Sequence, residues 1–327
     1  MSAVDPCAPP PVDARRRPAG LARLRAALAL GLLALAHPAA AYFEETGVGA
    51  RGLALGFGYD AMVTDASAQY WNPAALTRLH GAEATADYAK PYGLTDLNAG
   101  ALTLAAPVRG FGVALAWHHL GLGEAYAEDI YTAAAARTVF RRRDHVVSAG
   151  AAFKFGRVAF QPFFDPSTLN SVDYGAVSRG SFDAGLLWQT PWKIDLAWVG
   201  RDLIEPKYEF VFGSGGQKLA ARQELAAALR WNRESTITLG WGQQGNGQTS
   251  LTAGIEVTFF EVFAIRSSIA NLSRIYDSYG SPNDLEFNGG IGVFHNGYYV
   301  DATATTDHDL GASYRVSLRA PFGGAGR

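Results

Sequence analysis

The feature that most constrains this chain is strict two-residue alternation, held over runs longer than soluble strands use. In Trp192-Lys193-Ile194-Asp195-Leu196-Ala197-Trp198-Val199, one face carries Trp, Ile, Leu and Trp, and the other carries Lys, Asp and Ala. Leu251, Ala253, Ile255, Val257 and Phe259 alternate with Thr252, Gly254, Glu256 and Thr258. Successive strand side chains point to opposite faces, so such runs are strands with one apolar and one polar face. In several of them an aromatic residue ends the apolar face, where an interfacial girdle places it.

About fourteen runs of this kind follow one another, at 82–89, 97–107, 111–120, 128–139, 144–156, 180–190, 192–201, 219–231, 235–242, 248–259, 261–271, 286–295, 298–306 and 310–320. Most span about 9–13 residues. A tilted membrane-spanning strand needs roughly 9–11 residues, and a soluble strand averages about 5–6. The connections alternate between short and longer ones, the longest being 157–179, 202–218 and 272–285. That asymmetry predicts an even-stranded transmembrane antiparallel β-barrel with short periplasmic turns, longer outer loops and both termini in the periplasm. A β-sandwich would use shorter strands, and a β-helix would show a fixed repeat.

Composition agrees with a membrane protein that has no membrane helix. Charged residues make up 18% of the chain, against about 25% in soluble domains, and the mean hydropathy is near zero. After residue 41 no run offers about 20 consecutive apolar residues. Residues 1–41 read as a removable signal peptide: Arg15, Arg16, Arg17, Arg23 and Arg25 precede the apolar run AALALGLLALA, and Ala39-Ala40-Ala41 offers a cleavage site. Five arginines and two aspartates leave with it, taking the formal net charge from −2 to −5, a balance that does not suggest nucleic acid as a partner. Cys7, the single cysteine, leaves too, so no disulfide or thiol chemistry is expected of the remainder.

The phase opposite the aromatics faces the lumen. Glu83, Asp87, Asp183, Asp195, Glu224, Glu256 and Asp301 fall there, as do Lys154, Lys193, Arg230, Arg266, Arg315 and Arg319. An ion-selective pore favours one sign of charge. Near balance instead suits a lumen partly filled by protein, with charges pairing across a plug. Residues 42–80 supply the candidate. Gly47, Gly49, Gly52, Gly56 and Gly58 allow close backbone passage. Asp65 is placed to cap a short helix over 66–71, and Asn72 to cap a second turn with Pro73 at its first position. The domain organisation expected is a leader at 1–41, a hatch at 42–80 and a barrel at 81–327. A helical hairpin lying below the barrel is the alternative placement for the hatch segment.

The stretch GARGLALGFGYDAMVTDASAQYWNPAAL (49–76) resembles the N-terminal motif of FadL-type and PorV-type outer-membrane proteins. Gly49-Ala50-Arg51-Gly52-Leu53 matches its glycine-rich start; Asp65, Ser67, Tyr70, Trp71, Asn72, Pro73 and Ala74 match its second part. Ala75 stands where a glycine is usual, and Thr64 replaces one acid. The resemblance implies a fourteen-stranded barrel whose lumen holds an Asn-Pro-Ala hatch, in the outer membrane of a Gram-negative bacterium. Tyr314, Val316, Leu318 and Phe322 resemble the C-terminal assembly signal of such proteins, although five residues follow Phe322.

The resemblance implies passive uptake of hydrophobic small molecules, of the long-chain fatty acid or hydrocarbon type, gated by the hatch. It predicts an apolar pocket above the hatch, with a mouth built from the outer loops and their Phe160, Phe163, Phe164, Tyr208, Phe210 and Phe212. Two alternatives are a secretion accessory that meets secreted protein partners, as PorV-type relatives do, and a structural or unselective barrel. Outer-membrane lipid is the expected surroundings in every case. An enzyme is not expected: the histidines after the leader are His80, His118, His119, His145, His295 and His308, with no G-x-S-x-G motif, and His118 and His119 point to opposite faces. No cofactor and no metal site is expected.

Overall fold

The computed structural model describes residues 47–165, 169–210, 216–245, 247–272, 285–307 and 310–322. The leader assigned to residues 1–41 therefore lies outside the described residues. Fourteen antiparallel strands close into one barrel: β1 (Glu83–Lys90), β2 (Leu97–Val108), β3 (Phe111–Leu122), β4 (Tyr126–Arg142), β5 (His145–Phe160), β6 (Ala176–Gln189), β7 (Ile194–Arg201), β8 (Arg222–Arg230), β9 (Ser235–Gln244), β10 (Thr249–Phe259), β11 (Phe263–Ala270), β12 (Glu286–His295), β13 (Tyr298–Asp307) and β14 (Gly311–Pro321). Each pairs with its sequence neighbour, and the seam joins β1 to β14 from Glu83 opposite Pro321 to Lys90 opposite Tyr314. Closure leaves no unpaired sheet edge, which a bilayer requires.

Every strand read from the alternation is present. The structure adds length at β4 and β5, which run several residues past the expected limits, with a register shift between Thr138 and Phe140. Two short ladders, Phe163–Asp165 with Asn170–Val172 and Lys207–Tyr208 with Gln217–Lys218, lie within the long connections. One rim carries only short turns, between β2 and β3, β4 and β5, β6 and β7, β8 and β9, β10 and β11, and β12 and β13. Both ends of the barrel's chain path reach this same rim. The longer connections occupy the other.

The two faces of the wall differ as the pattern requires. Leu102, Leu104, Leu115, Phe153, Leu225, Leu239, Ile255, Ile265, Ile291, Val300, Val316 and Leu318 are all exposed and point outward. An apolar belt of that extent is unsustainable in water and natural in hydrocarbon. Inward positions are small or polar, such as Thr103, Ala105, Ala114, Ser148, Ala152, Ala197, Ala226, Ala228, Thr238 and Thr252, all buried. What buries them is residues 47–80, which pack against the inner faces of most of the strands. No helix among the described residues is long and apolar enough to cross a membrane.

Candidate functional site: a luminal hatch and the cavity beside it

The hatch is four short helical pieces: α1 (Ala50–Leu55), a 3-10 turn (Gly56–Ala61), α2 (Ala68–Trp71) and a second 3-10 turn (Pro73–Arg78). Its core is the best-buried apolar cluster described, with Leu55, Tyr59, Val63, Ala66 and Leu76 wholly inaccessible. The rings of Tyr59 and Trp71 meet edge to face at 5.5 Å, and Trp71 Nε1 donates to the Val48 carbonyl at 2.8 Å. The hatch lies within the barrel rather than as a hairpin below it.

Asn72 is the joint of this object. It is fully buried and extended (φ −149°, ψ 104°). Its Oδ1 accepts from the Ala74 N–H at 3.0 Å, capping the second turn, and Pro73 occupies the first position as expected. Its Nδ2 donates to the Asp60 carbonyl at 3.1 Å and to the Leu186 carbonyl of β6 at 3.2 Å. One side chain thus ties the two halves of the hatch to each other and to the wall.

Asp65 takes a different part from the one expected. The helix starts at Ala68 with Ser67 before it, not at 66. Asp65 Oδ1 accepts from the Ser67 N–H at 3.0 Å and from its hydroxyl, making a local turn that precedes the helix. Its Oδ2 accepts from the Tyr59 hydroxyl at 2.9 Å, with Arg319 of β14 at 3.5 Å and Arg51 at 3.9 Å. Burial alone would raise the carboxyl; Arg319, Arg51 and the hydrogen bonds from Ser67 and Tyr59 outweigh it and hold Asp65 below the usual range.

Ion pairs fasten the hatch around its circumference. Arg51 forms a bidentate pair with Glu256 of β10 (2.8 and 2.7 Å), and Glu256 is shared with Arg266, which also reaches Asp301 at 2.6 Å. Arg78 meets Asp195 of β7 at 2.5 Å, and its Nη1 donates to the Ala61 and Val63 carbonyls. Arg201 of β7 works from the wall inward: Nε donates to Glu224 at 2.9 Å, Nη2 to the Trp71 carbonyl at 3.0 Å and Nη1 to the Tyr70 carbonyl. Asp60 faces Arg201 at 3.6 Å. Burial, and then the neighbouring Glu224, push Asp60 well above the usual carboxylate range against the pull of Arg201. The expected pairing of luminal charges across a plug is present in part: Glu256, Asp195 and Arg319 meet hatch residues, while Arg315 pairs with Asp87, Lys154 with Asp183 and Arg230 with Asp195 from strand to strand. Glu83 instead accepts from the Ala66 N–H of the hatch, and Lys193 does not face the lumen: it lies in an exposed turn, because β7 begins only at Ile194. Arg201 and Arg222 take its place in the lumen, and single bases at strand ends carried no pattern by which to select them.

Glycines form the seat, a feature the alternation does not reveal. A Cβ on Gly150 of β5 would stand 2.4 Å from the Ala74 nitrogen and the Pro73 carbonyl carbon. On Gly240 of β9 it would stand 2.4 Å from the Gly58 nitrogen. The hatch therefore meets the wall backbone to backbone at these points.

Above the hatch, toward the long connections, lies a cavity of about 560 Å³. Leu53, Phe57, Tyr70 and Trp71 of the hatch form its floor; Ser250, Thr252, Asn288, Thr303, Thr305 and Ser313 are among its walls, with Arg222 and Arg315. The apolar pocket anticipated from the sequence is thus corrected to an apolar floor under polar walls. The reason is the alternation itself: apolar positions are spent on the lipid face, so the lumen inherits Thr, Ser and Asn. Asn72, Pro73 and Ala74 do not line the cavity. Phe160, Tyr208 and Phe210 do not line it either; they pack with Val158 and Tyr126 in a separate cluster on the long-connection side, Phe160 and Phe210 meeting at 5.0 Å. Phe164 is exposed. The Phe163 side chain and Phe212 lie outside the described residues.

Tyr314, Val316, Leu318 and Phe322 all face outward and are exposed, and the Phe322 N–H donates to the Ala82 carbonyl at 2.9 Å. His118 turns inward to Gln69 (2.9 Å) and His119 outward to Asp129 (2.9 Å). No group of three or more metal-ligating side chains occurs among the described residues.

The fold is a closed fourteen-stranded antiparallel barrel with an N-terminal helical segment seated in its lumen. Several solved structures share that fold. The Pseudomonas putida toluene transporter TodX is similar with a TM-score of 0.58 at 11% identity, covering 84% of this chain and 96% of that one. A Pseudomonas aeruginosa FadL homologue gives 0.55 at 12%, covering 84% and 98%. The Ralstonia pickettii toluene transporter TbuX gives 0.54 at 10%, covering 86% and 100%. The likeness to FadL-type barrels read from residues 49–76 is therefore found again in the fold. No protein-family model and no curated protein matches the sequence.

Proposed function

We propose that this chain is an outer-membrane uptake barrel for amphiphilic small molecules, closed at rest by residues 47–80, with its short-turn rim in the periplasm. The observation that carries the reading is the cavity: an aromatic and aliphatic floor made by the hatch itself, under walls of hydroxyl and amide groups. A ligand resting there touches the part that must move for it to pass. Such a site suits a molecule with an apolar body and a hydrogen-bonding head better than a plain hydrocarbon, whose entry would strip water from the polar walls without replacing its hydrogen bonds. The fold likeness to toluene transporters and a FadL homologue supports an uptake role for a small hydrophobic molecule.

The test is ligand binding to the purified barrel in detergent, measured by titration calorimetry, with a medium-chain fatty acid, the matching alcohol and toluene compared. Binding of acid or alcohol in preference to toluene, lost in Phe57→Ala, supports the reading. Binding of none of them, with secreted proteins co-purifying instead, favours the secretion-accessory role.

A further inference from the structure

Four successive short turns share a composition that the hatch and the cavity do not use. Arg109 lies in the turn before Phe111, which opens β3; Phe140, Arg141 and Arg142 close β4 and Arg143 follows in its turn to β5; Trp192 adjoins Lys193 between β6 and β7; Trp231 lies near Arg233 between β8 and β9. All of these side chains are exposed. The pairings of β3 with β4, β5 with β6 and β7 with β8 make the turns neighbours along one arc of the rim. Asp144 and Glu234 are the acids among them. The remaining short turns, Phe260-Glu261-Val262 and Asn296-Gly297, carry no Lys or Arg. In a chain of formal net charge −2, this is a concentrated basic arc.

Its height on the barrel is fixed by the aromatics. His145 pairs with Arg142 across the turn, and its ring lies 5.9 Å from that of Trp188 and 5.6 Å from that of Trp192. The Arg142 position therefore lies level with the indoles. Arg137 sits on the outward phase of β4, its guanidinium 5.2 Å from the Phe111 ring. Arg109, Arg141, Arg142 and Arg143 make no ion pair among the described residues. Exposed tryptophans at a barrel rim lie at the headgroup level, and bases at that level attract anionic lipid. A protein partner would need the bases clear of the bilayer, whereas Arg137 faces the lipid itself.

We infer that this arc of the short-turn rim binds anionic phospholipid headgroups of the leaflet it contacts. Each base at an anionic surface raises binding by about fivefold at low salt, so lipid is recruited to one side of the barrel only.

The experiment uses the full barrel reconstituted in phosphatidylcholine vesicles that contain phosphatidylglycerol, with one or the other lipid brominated, and reads tryptophan quenching. Quenching by brominated phosphatidylglycerol should exceed that by brominated phosphatidylcholine several-fold at equal mole fraction. High salt should abolish the preference. Replacing Arg141, Arg142 and Arg143 by Gln should bring the ratio toward one. If that variant fails to assemble, Arg109→Gln with Lys193→Gln and Arg233→Gln serves instead. Equal quenching by the two lipids in the unaltered barrel, or an undiminished preference in both variants, overturns the inference. So would a rim that shows no lipid preference but captures a polyglutamate peptide.

Discussion

Gly185 of β6 lies so close to Asn72 that a Cβ placed on it would stand 2.2 Å from the Asn72 Oδ1. That oxygen caps the Pro73–Arg78 turn, so the wall and the cap compete for the same few ångströms. Gly185→Val is expected to unseat the hatch while leaving β6 in the sheet. The check is planar-bilayer conductance alongside heat-modifiable gel mobility: conductance rises and the folded band persists. A closed barrel in Gly185→Val would show that the hatch does not rest on this wall.

Asn72→Ala removes three hydrogen bonds and takes their side-chain partner from two buried backbone groups, the Ala74 N–H and the Asp60 carbonyl. Leaving a buried polar group unpaired costs about 1–3 kcal/mol, so the hatch should loosen by about 3 kcal/mol in all. Hydrogen exchange of residues 47–80 against that of the barrel strands measures it. Loss of protection confined to the hatch is the expected result, and uniform loss would contradict it.

Breaking the buried Arg51–Glu256 pair from one side should cost about 3–5 kcal/mol, because the remaining charge stays buried. Arg51→Met leaves Glu256 with Arg266, so its effect should be smaller than that of Glu256→Gln, which strips a partner from both arginines. Open-time fractions in single-channel records order the two variants, and the reverse order would sink the assignment.

Hatch seating should depend on pH at both ends. Asp65 is held below its unfolded value, so its contribution is complete above the ordinary carboxylate range and is lost as pH falls through its lowered value. Asp60 is raised, so its contribution is complete below the ordinary range and is lost as pH rises through its raised value. Leak through the barrel should therefore rise in acid and again with increasing pH. Asp60→Asn should flatten only the upper arm, and a profile unchanged in Asp60→Asn would refute its part.

Deleting residues 42–79 should leave an assembled barrel with raised leakage of small solutes into liposomes. Unchanged leakage would show that something other than the hatch closes the lumen.

The strands were legible because lipid outside and protein inside impose a period of two on every spanning residue. Where the wall rises past the bilayer that pressure ends, and the extensions of β4 and β5 and the ladder at 163–172 carry no comparable pattern. Asn72-Pro73 announced its cap because the geometry needs those two residue types. The seat did not announce itself: Gly150, Gly185 and Gly240 fit the small luminal phase equally well with or without a hatch against them. Arg201 was missed for a related reason, since a lone base closing β7 looks like any interfacial arginine until the carbonyls of Tyr70 and Trp71 are placed beside it. The polar walls of the cavity were implicit in the alternation but were overridden by the expectation that a hydrophobic cargo needs an apolar pocket.

The seam between β1 and β14 joins the first strand after the hatch to the last strand of the chain. The hatch itself holds both sides of that seam: the Ala50 N–H donates to Ser317 of β14 at 2.7 Å, and the Gly49 N–H to Asp87 of β1 at 3.3 Å. The hatch is therefore a clasp across the one place where the wall closes on itself, added to a backbone ladder that pairs the first and last strands by itself.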